Sequence, residues 1–343
     1  MPERVQAERQ SIARYLVRSA NTSAGAILAG LVSVARIVAL ILAAGAFLAA
    51  ACAPAVKPTG NGAPGSDQLA ELWVDPGTQI RNLRTGVAHD DPAPAAEARY
   101  DVVSRDVAGF SITYRVRDER GHEWHVKIGP EAQTEVTSSR IVWGLGYHQL
   151  PSHFVERWIA VDHAKGQLIG GGRFRPHEMG LKSAGTWSWQ RNPFVGSKPY
   201  NGLLVLMMVL NGTDLKNDNN ELYDVVGERR EGARRWYVVK DLGASLGETG
   251  RMDPRRGYVD GFEREPFVTG VSHGRVTFGF RGRHQELLDH IDVDDVRWTC
   301  ERLRRLTDNQ WKDAFRAGGF TDEQTARFVA RIKQKIDEGL ALR

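Results

Sequence analysis

The stretch "NGTDLKNDNN" (residues 211–220) follows an apolar run, "GLLVLMMVL" (202–210), and sets two aspartates, one lysine and four asparagines within ten positions. The apolar run is long enough for a buried helix, so the polar stretch starts from a rigid base. Such a composition suits a solvated surface loop. It also suits a set of ligands held at fixed spacing for a phosphate and its metal. A calcium loop fits poorly, because the glycine needed at the sixth position is absent and Lys216 would stand among the ligands.

Downstream, "ELYDVV" and "ARRWYVVKDLG" predict a β-hairpin that ends in Asp241-Leu242-Gly243. Upstream, "YDVVSRD", "FSITYRVRD" and "EWHVKIG" predict a three-strand meander with Lys127 in its third strand. A helix is predicted over "EAQTEVTSSRIVWGLGY", with Glu135 near its start and Gly146 ending it. "HFVERWIAVD" and "QLIGGGRFRP" read as two more strands, and residues 180–200 as an aromatic loop. From Asp292 onward the pattern is helical, with an aspartate-rich first turn there and a last helix from Thr321 to about Leu340. No internal repeat is present, and this order of elements predicts an α+β fold.

Asp214, Lys216 and Asn219 form D-x-K-x-x-N, Asp241 opens D-L-G, Lys127 lies in a strand and Glu135 in the following helix. In kind and order this set resembles the protein-kinase-like superfamily, whose catalytic loop reads D-L-K-x-x-N and whose metal motif reads D-F-G. The resemblance implies a two-lobed kinase-like fold with a β-rich N-lobe and a mainly helical C-lobe. It also implies ATP and Mg²⁺ as cofactors, and phosphate transfer to a protein or small-molecule hydroxyl. On that reading Asp214 stands beside the acceptor hydroxyl and Lys216 reaches the transferred phosphate. Lys127 and Glu135 form the nucleotide-binding pair, and Asn219 and Asp241 are the metal ligands. Phosphoryl transfer asks mainly for positioning and charge stabilisation, and these are the residue types that supply them.

The chain departs from the family's pattern in several places. Gly212-Thr213 stands where His-Arg is usual, no G-x-G-x-x-G precedes Lys127, and "VAGFS" (107–111) would have to cover the phosphates. Glu135 is only eight residues from Lys127, which leaves Glu131 as a rival partner. These departures point to an atypical branch, comparable with the phosphoinositide-kinase-like or toxin-kinase-like groups. The resemblance spans roughly residues 100 to 245.

The 343 residues carry a formal charge of +4, and five arginines against two glutamates in residues 1–52 account for +3 of it. The remainder has no basic footprint for nucleic acid. An apolar stretch over residues 37–51 stops at Cys52 after Ala49, Ala50 and Ala51, which resembles the bacterial lipobox. Leu48 lies four positions before the cysteine, where the family usually has leucine at three. Lipidation at Cys52 and an uncleaved N-terminal helix are the two readings, and both put the body outside the cytoplasm by the positive-inside rule. Of the two cysteines, Cys300 then has no partner within the chain. The expected organisation is a leader or membrane anchor over 1–52, a flexible tether and linker over 53–98, a β-rich N-lobe over 99–170 and a mainly helical C-lobe over 171–343. Compartments outside the cytoplasm hold little ATP, so a kinase-fold binding module without transfer activity, or a structural envelope lipoprotein, is the alternative.

Overall fold

A computed structural model describes residues 57–59, 63–79, 81–87, 93–108, 111–163, 165–177, 179–250 and 254–343. The expected leader with Cys52 lies outside the described residues, as do Gly109 and Phe110 of "VAGFS". Residues 56–343 form one compact unit. Among the described residues no helix is long and apolar enough to cross a membrane.

The architecture is α+β. Strand β1 (Lys57–Pro58) and helix α1 (Ser66–Leu69) come first. The barrel strands follow: β2 (Arg99–Asp106), β3 (Ile112–Arg117) and β4 (Glu123–Ile128), then helix α2 (Glu131–Gly144), then β5 (His153–Asp162) and β6 (Lys165–Pro176). They close in the order β2-β3-β4-β6-β5, with β2 parallel to β5 and the other pairs antiparallel. Alternation along the strands sends Tyr100, Tyr114, Trp124, Val126, Trp158 and Phe174 to a common interior. Their rings meet edge-on, with Tyr114 and Trp158 5.5 Å apart at 85°.

The second region is built on α3 (Lys198–Val209), whose residues from Pro199 to Val209 are all buried. Ser197 caps it by accepting from the Tyr200 N–H, and Pro199 sits in its first turn, where no intrahelical donor is needed. Strands β7 (Leu181–Gly185), β9 (Asn220–Val225) and β10 (Arg235–Val239) form an antiparallel sheet in the order β10-β9-β7, while β8 (Arg191–Asn192) pairs with β1. The stretch expected as a loop over 180–200 therefore contributes two short strands. Helix α4 (Val259–Arg264) and the hairpin β11 (Val268–Ser272) and β12 (Arg275–Phe278) lead into α5 (Val293–Arg304), α6 (Asp308–Ala317) and α7 (Asp322–Leu340). The last three helices each open with a capping box, at Asp292, Thr307 and Thr321.

The expected tether is partly structural. Leu72 and Leu83 are fully buried in the main core, and the Trp73 indole N–H donates to the Leu145 carbonyl at 2.8 Å. In sequence the stretch "ELWVDP" (71–76) reads as at most a short strand or turn added to the body, and the burial that makes residues 66–87 a strap is set by the core they meet.

Candidate functional site

Lys127 lies on the face of β4 opposite Val126, and that face is covered by α2, so its side chain is only 9 % exposed. Gly129 and Pro130 turn the chain from β4 straight into α2, which places Glu131 and Glu135, one helical turn apart, over the lysine. The ammonium meets Glu131 Oε2 at 2.7 Å, Glu135 Oε2 at 3.2 Å and Asp241 Oδ2 at 3.0 Å. Both glutamates thus hold Lys127, and eight residues suffice for the pair because the helix begins immediately after the strand.

Glu135 is the more tightly enclosed. Its Oε1 faces Arg173 Nε at 3.0 Å and Arg175 Nη2 at 3.1 Å, both from β6, where Arg173 lies directly across the ladder from Lys127. Burial pushes the Arg175 guanidinium down to about 10. Glu131 Oε1 takes Arg256 at 2.8 Å, and its other oxygen accepts from the Ser111 hydroxyl. Burial alone would lower the Lys127 pKa, but Glu135, Asp241 and Glu131 together raise it above the ordinary lysine value.

Asp241 follows β10 and is 37 % exposed. Burial would push its carboxyl up; Lys127, the Gly243 N–H and Arg173 bring it below the usual aspartate value. Gly243 lets this turn lie against α2, since a Cβ there would come within 2.6 Å of Glu131 Cβ. The Thr134 hydroxyl donates to the Gly243 carbonyl at 2.7 Å, and the Ser138 and Ser245 hydroxyls bond at 2.8 Å. Helix α2 is thereby stapled to the D-L-G turn and the residues after it along about two of its turns.

The loop that follows α3 is set by Asn211, whose backbone is left-handed with φ 54° and whose amide donates to the Gly247 carbonyl at 2.7 Å. Leu215 is buried in the core, so Asp214 and Lys216 on either side of it face the opposite way, with Lys216 Nζ 2.7 Å from Asp214 Oδ2. Asn219 Nδ2 donates to the Asp214 carbonyl at 2.8 Å. The Asn219 backbone carbonyl accepts from the N–H groups of Lys240 at 2.8 Å and Asp241 at 3.2 Å. The D-x-K-x-x-N and D-L-G segments are therefore bonded to each other, with the side chains of Asn219 and Asp241 emerging from adjoining backbone.

Of the residues expected from sequence, Lys127, Glu135 and Asp241 meet directly, Asn219 joins them through the backbone of Asp241, and Asp214 and Lys216 form a second pair beyond Asn219. Sequence reading missed Arg173, Arg175 and Arg256. The first two are alternate residues of a strand, and only its pairing register with β4 shows that they share the face of Lys127.

The donor set suits a hard divalent cation. Asp241 and Asn219 offer a carboxylate and an amide oxygen, and a carboxylate has about four lone-pair positions, of which Lys127 takes two and the Gly243 N–H a third. Among the described residues no group of three or more His, Cys, Asp or Glu is arranged to hold a metal by itself. A bound cation would therefore need oxygens from elsewhere, as Mg²⁺ does when it bridges phosphates.

No family model matches the chain, and no curated protein matches it. Among solved structures it is similar to a Helicobacter pylori proinflammatory kinase, CtkA, at 9% identity and a TM-score of 0.43, covering 72% of this chain and 97% of that one. It is also similar to the Golgi casein kinase, at 8% identity and a TM-score of 0.37 over 72% of this chain and 74% of that one. The same kinase with Mn/ADP bound matches at 9% identity and a TM-score of 0.36, over 72% of this chain and 73% of that one. Likeness at this level assigns neither a family nor an activity to the chain.

Proposed function

We propose that the protein is an atypical kinase-like phosphotransferase that binds ATP with Mg²⁺ and transfers a phosphate to a hydroxyl acceptor. One observation carries the proposal: a buried lysine is held by a helix glutamate and by the aspartate of D-L-G, and that aspartate is bonded to the loop bearing Asp214 and Asn219.

Lys127 would neutralise the non-transferred phosphates, and Glu135 fixes its rotamer while Arg173 and Arg175 keep Glu135 in place. Asn219 and Asp241 would hold Mg²⁺, which when bound neutralises charge between the phosphates. Asp214 would receive the proton of the acceptor hydroxyl as its oxygen attacks the terminal phosphorus. The bond from that phosphorus to the bridging oxygen breaks, and the nucleoside diphosphate leaves. Lys216, already against Asp214, would follow the charge of the transferred group.

Purified protein should melt at higher temperature with ATP only when Mg²⁺ is present, and Asp241→Ala should abolish that shift. A wild-type protein that shows no shift across a range of divalent metals would overturn the proposal. The ion pair between Lys216 and Asp214 favours one second reading, a nucleotide-binding module without turnover. A nucleotide shift without phosphate transfer would select it.

The same proposal places the body outside the cytoplasmic membrane on a lipidated Cys52, on the strength of the apolar run that ends at that residue. The intact mass of membrane-extracted protein tests the anchor: a lipid-modified chain starting at residue 52 supports lipidation, and an unprocessed chain overturns it in favour of an uncleaved helix.

A further inference from the structure

Next to Asp214 lies a cavity of about 430 Å³, the size of a small-ligand site, lined among others by Lys216, Ala244, Arg256, Arg283 and His284. Three of these side chains are formally cationic, and among the described residues Asp214 is the one carboxylate in the lining. Lys216 is balanced by Asp214, and Arg256 reaches Glu131 at 2.8 Å. Arg283 is 61 % exposed, with its Nε 3.7 Å from Asp214 Oδ1, at the outer edge of direct pairing. Its backbone N–H donates to the Thr213 carbonyl at 3.4 Å, which ties its position to the residue before Asp214. His284 sits beside it in a left-handed conformation, φ 58°, with its Nδ1 edge held by Gln190 at 3.0 Å and Glu286 at 2.8 Å.

We infer that this cavity is the acceptor site and that it selects a small hydroxyl compound bearing its own anionic group, such as a phosphate ester. This deepens the phosphotransfer reading and rests on it. A neutral alcohol would leave Arg283 with only the Asp214 carboxylate, 3.7 Å away and already paired with Lys216. An anionic group on Arg283 would hold the neighbouring hydroxyl at Asp214, because the two residues share one wall. Arg283 has the planar fork that grips a phosphate with two parallel bonds.

The test uses the full chain with the donor's terminal phosphate position filled by a non-hydrolysable ATP analogue and Mg²⁺. Glycerol 3-phosphate and glycerol are then titrated separately by calorimetry. Glycerol 3-phosphate should bind and glycerol should not, and Arg283→Gln should weaken glycerol 3-phosphate about tenfold or more, the loss of one charge-assisted pair. Arg283→Lys, which keeps the charge without the fork, should recover part of that loss. The inference is overturned if the two probes behave alike, or if glycerol 3-phosphate binds without the analogue and is expelled by it, since the cations would then serve the donor's phosphates. Failure of the transfer reading looks different: the wild type would show no Mg²⁺-dependent response to the analogue at all.

Discussion

Lys335 shows at the scale of one residue how much a charge depends on its neighbours. It is completely buried, donates to the Val209 carbonyl at 2.9 Å and to Asn211 Oδ1 at 2.6 Å, and lies 4.1 Å from the centre of the Phe262 ring. Burial, helped by Arg331 and opposed by Glu338 and Glu265, pushes its ammonium well below the ordinary lysine value of 10.5. Between that lowered value and 10.5 the unfolded chain binds a proton that the folded chain has released, so stability rises with pH through this window. Denaturant unfolding at several pH values should show the rise in the wild type, and Lys335→Met should flatten it. An unchanged pH slope in the variant would exclude this origin. Lys127 presents the contrary case, a buried lysine whose three carboxylates keep it charged. In the sequence Lys127 and Lys335 are alike, and only the pairing of elements around them separates their chemistry.

Among the elements, α2 joins the barrel to the D-L-G turn. It spans the barrel strand that bears Lys127, the D-L-G turn and α6, and nearly all its residues are buried, including Thr134, Thr137, Ser138 and Ser139. Those small hydroxyl residues permit close approach and supply the bonds to Gly243 and Ser245. Replacing Gly243 with alanine should force the turn and the helix apart, at a cost of about 1–3 kcal/mol. Urea unfolding should register that loss, and the nucleotide-dependent melting shift should disappear with it; a variant that keeps both would show that the turn has room to yield. The strands β2 to β6, the helices α2 and α3, the β9–β10 hairpin and the capped helices α5 and α7 were legible because each has a period or a cap of its own. The hairpin β11–β12 and the strands inside residues 180–200 were not, because they are short and patterned by their partners.

For the whole molecule, the N-terminal strap is the feature that composition conceals. Leu72 and Leu83 enter the same core as α3 and α7, the Ala70 carbonyl accepts from His148 Nε2 at 2.7 Å, and the Arg81 carbonyl accepts from the Gln310 amide at 3.0 Å. Deleting residues 1–56 should leave cooperative unfolding intact. Deleting residues 1–98 removes two fully buried leucines, worth about 2–5 kcal/mol each, from a total stability of about 5–15 kcal/mol. That truncation should melt far lower or not cooperatively in a calorimetric scan, and equal melting of the two truncations would show that the strap is dispensable. The candidate site was legible as a set of letters in order, since Lys127, Glu135, Asp214, Asn219 and Asp241 each sit at a predicted element boundary. What the letters could not convey was the Arg173 and Arg175 brace or the cationic cavity, which come from strands and loops far apart in the chain.

The bond from Lys335 to Asn211 joins positions 124 residues apart and ends on the residue that sets the path of the Asp214 loop. In a chain made from its N-terminus, that loop emerges long before its anchor. Until α7 is made, Asn211 Oδ1 lacks the ammonium that holds it, and the start of the loop keeps its bonds to Gly247 and Ala244. Formation of α7 thus comes before the final geometry of a loop made 124 residues earlier.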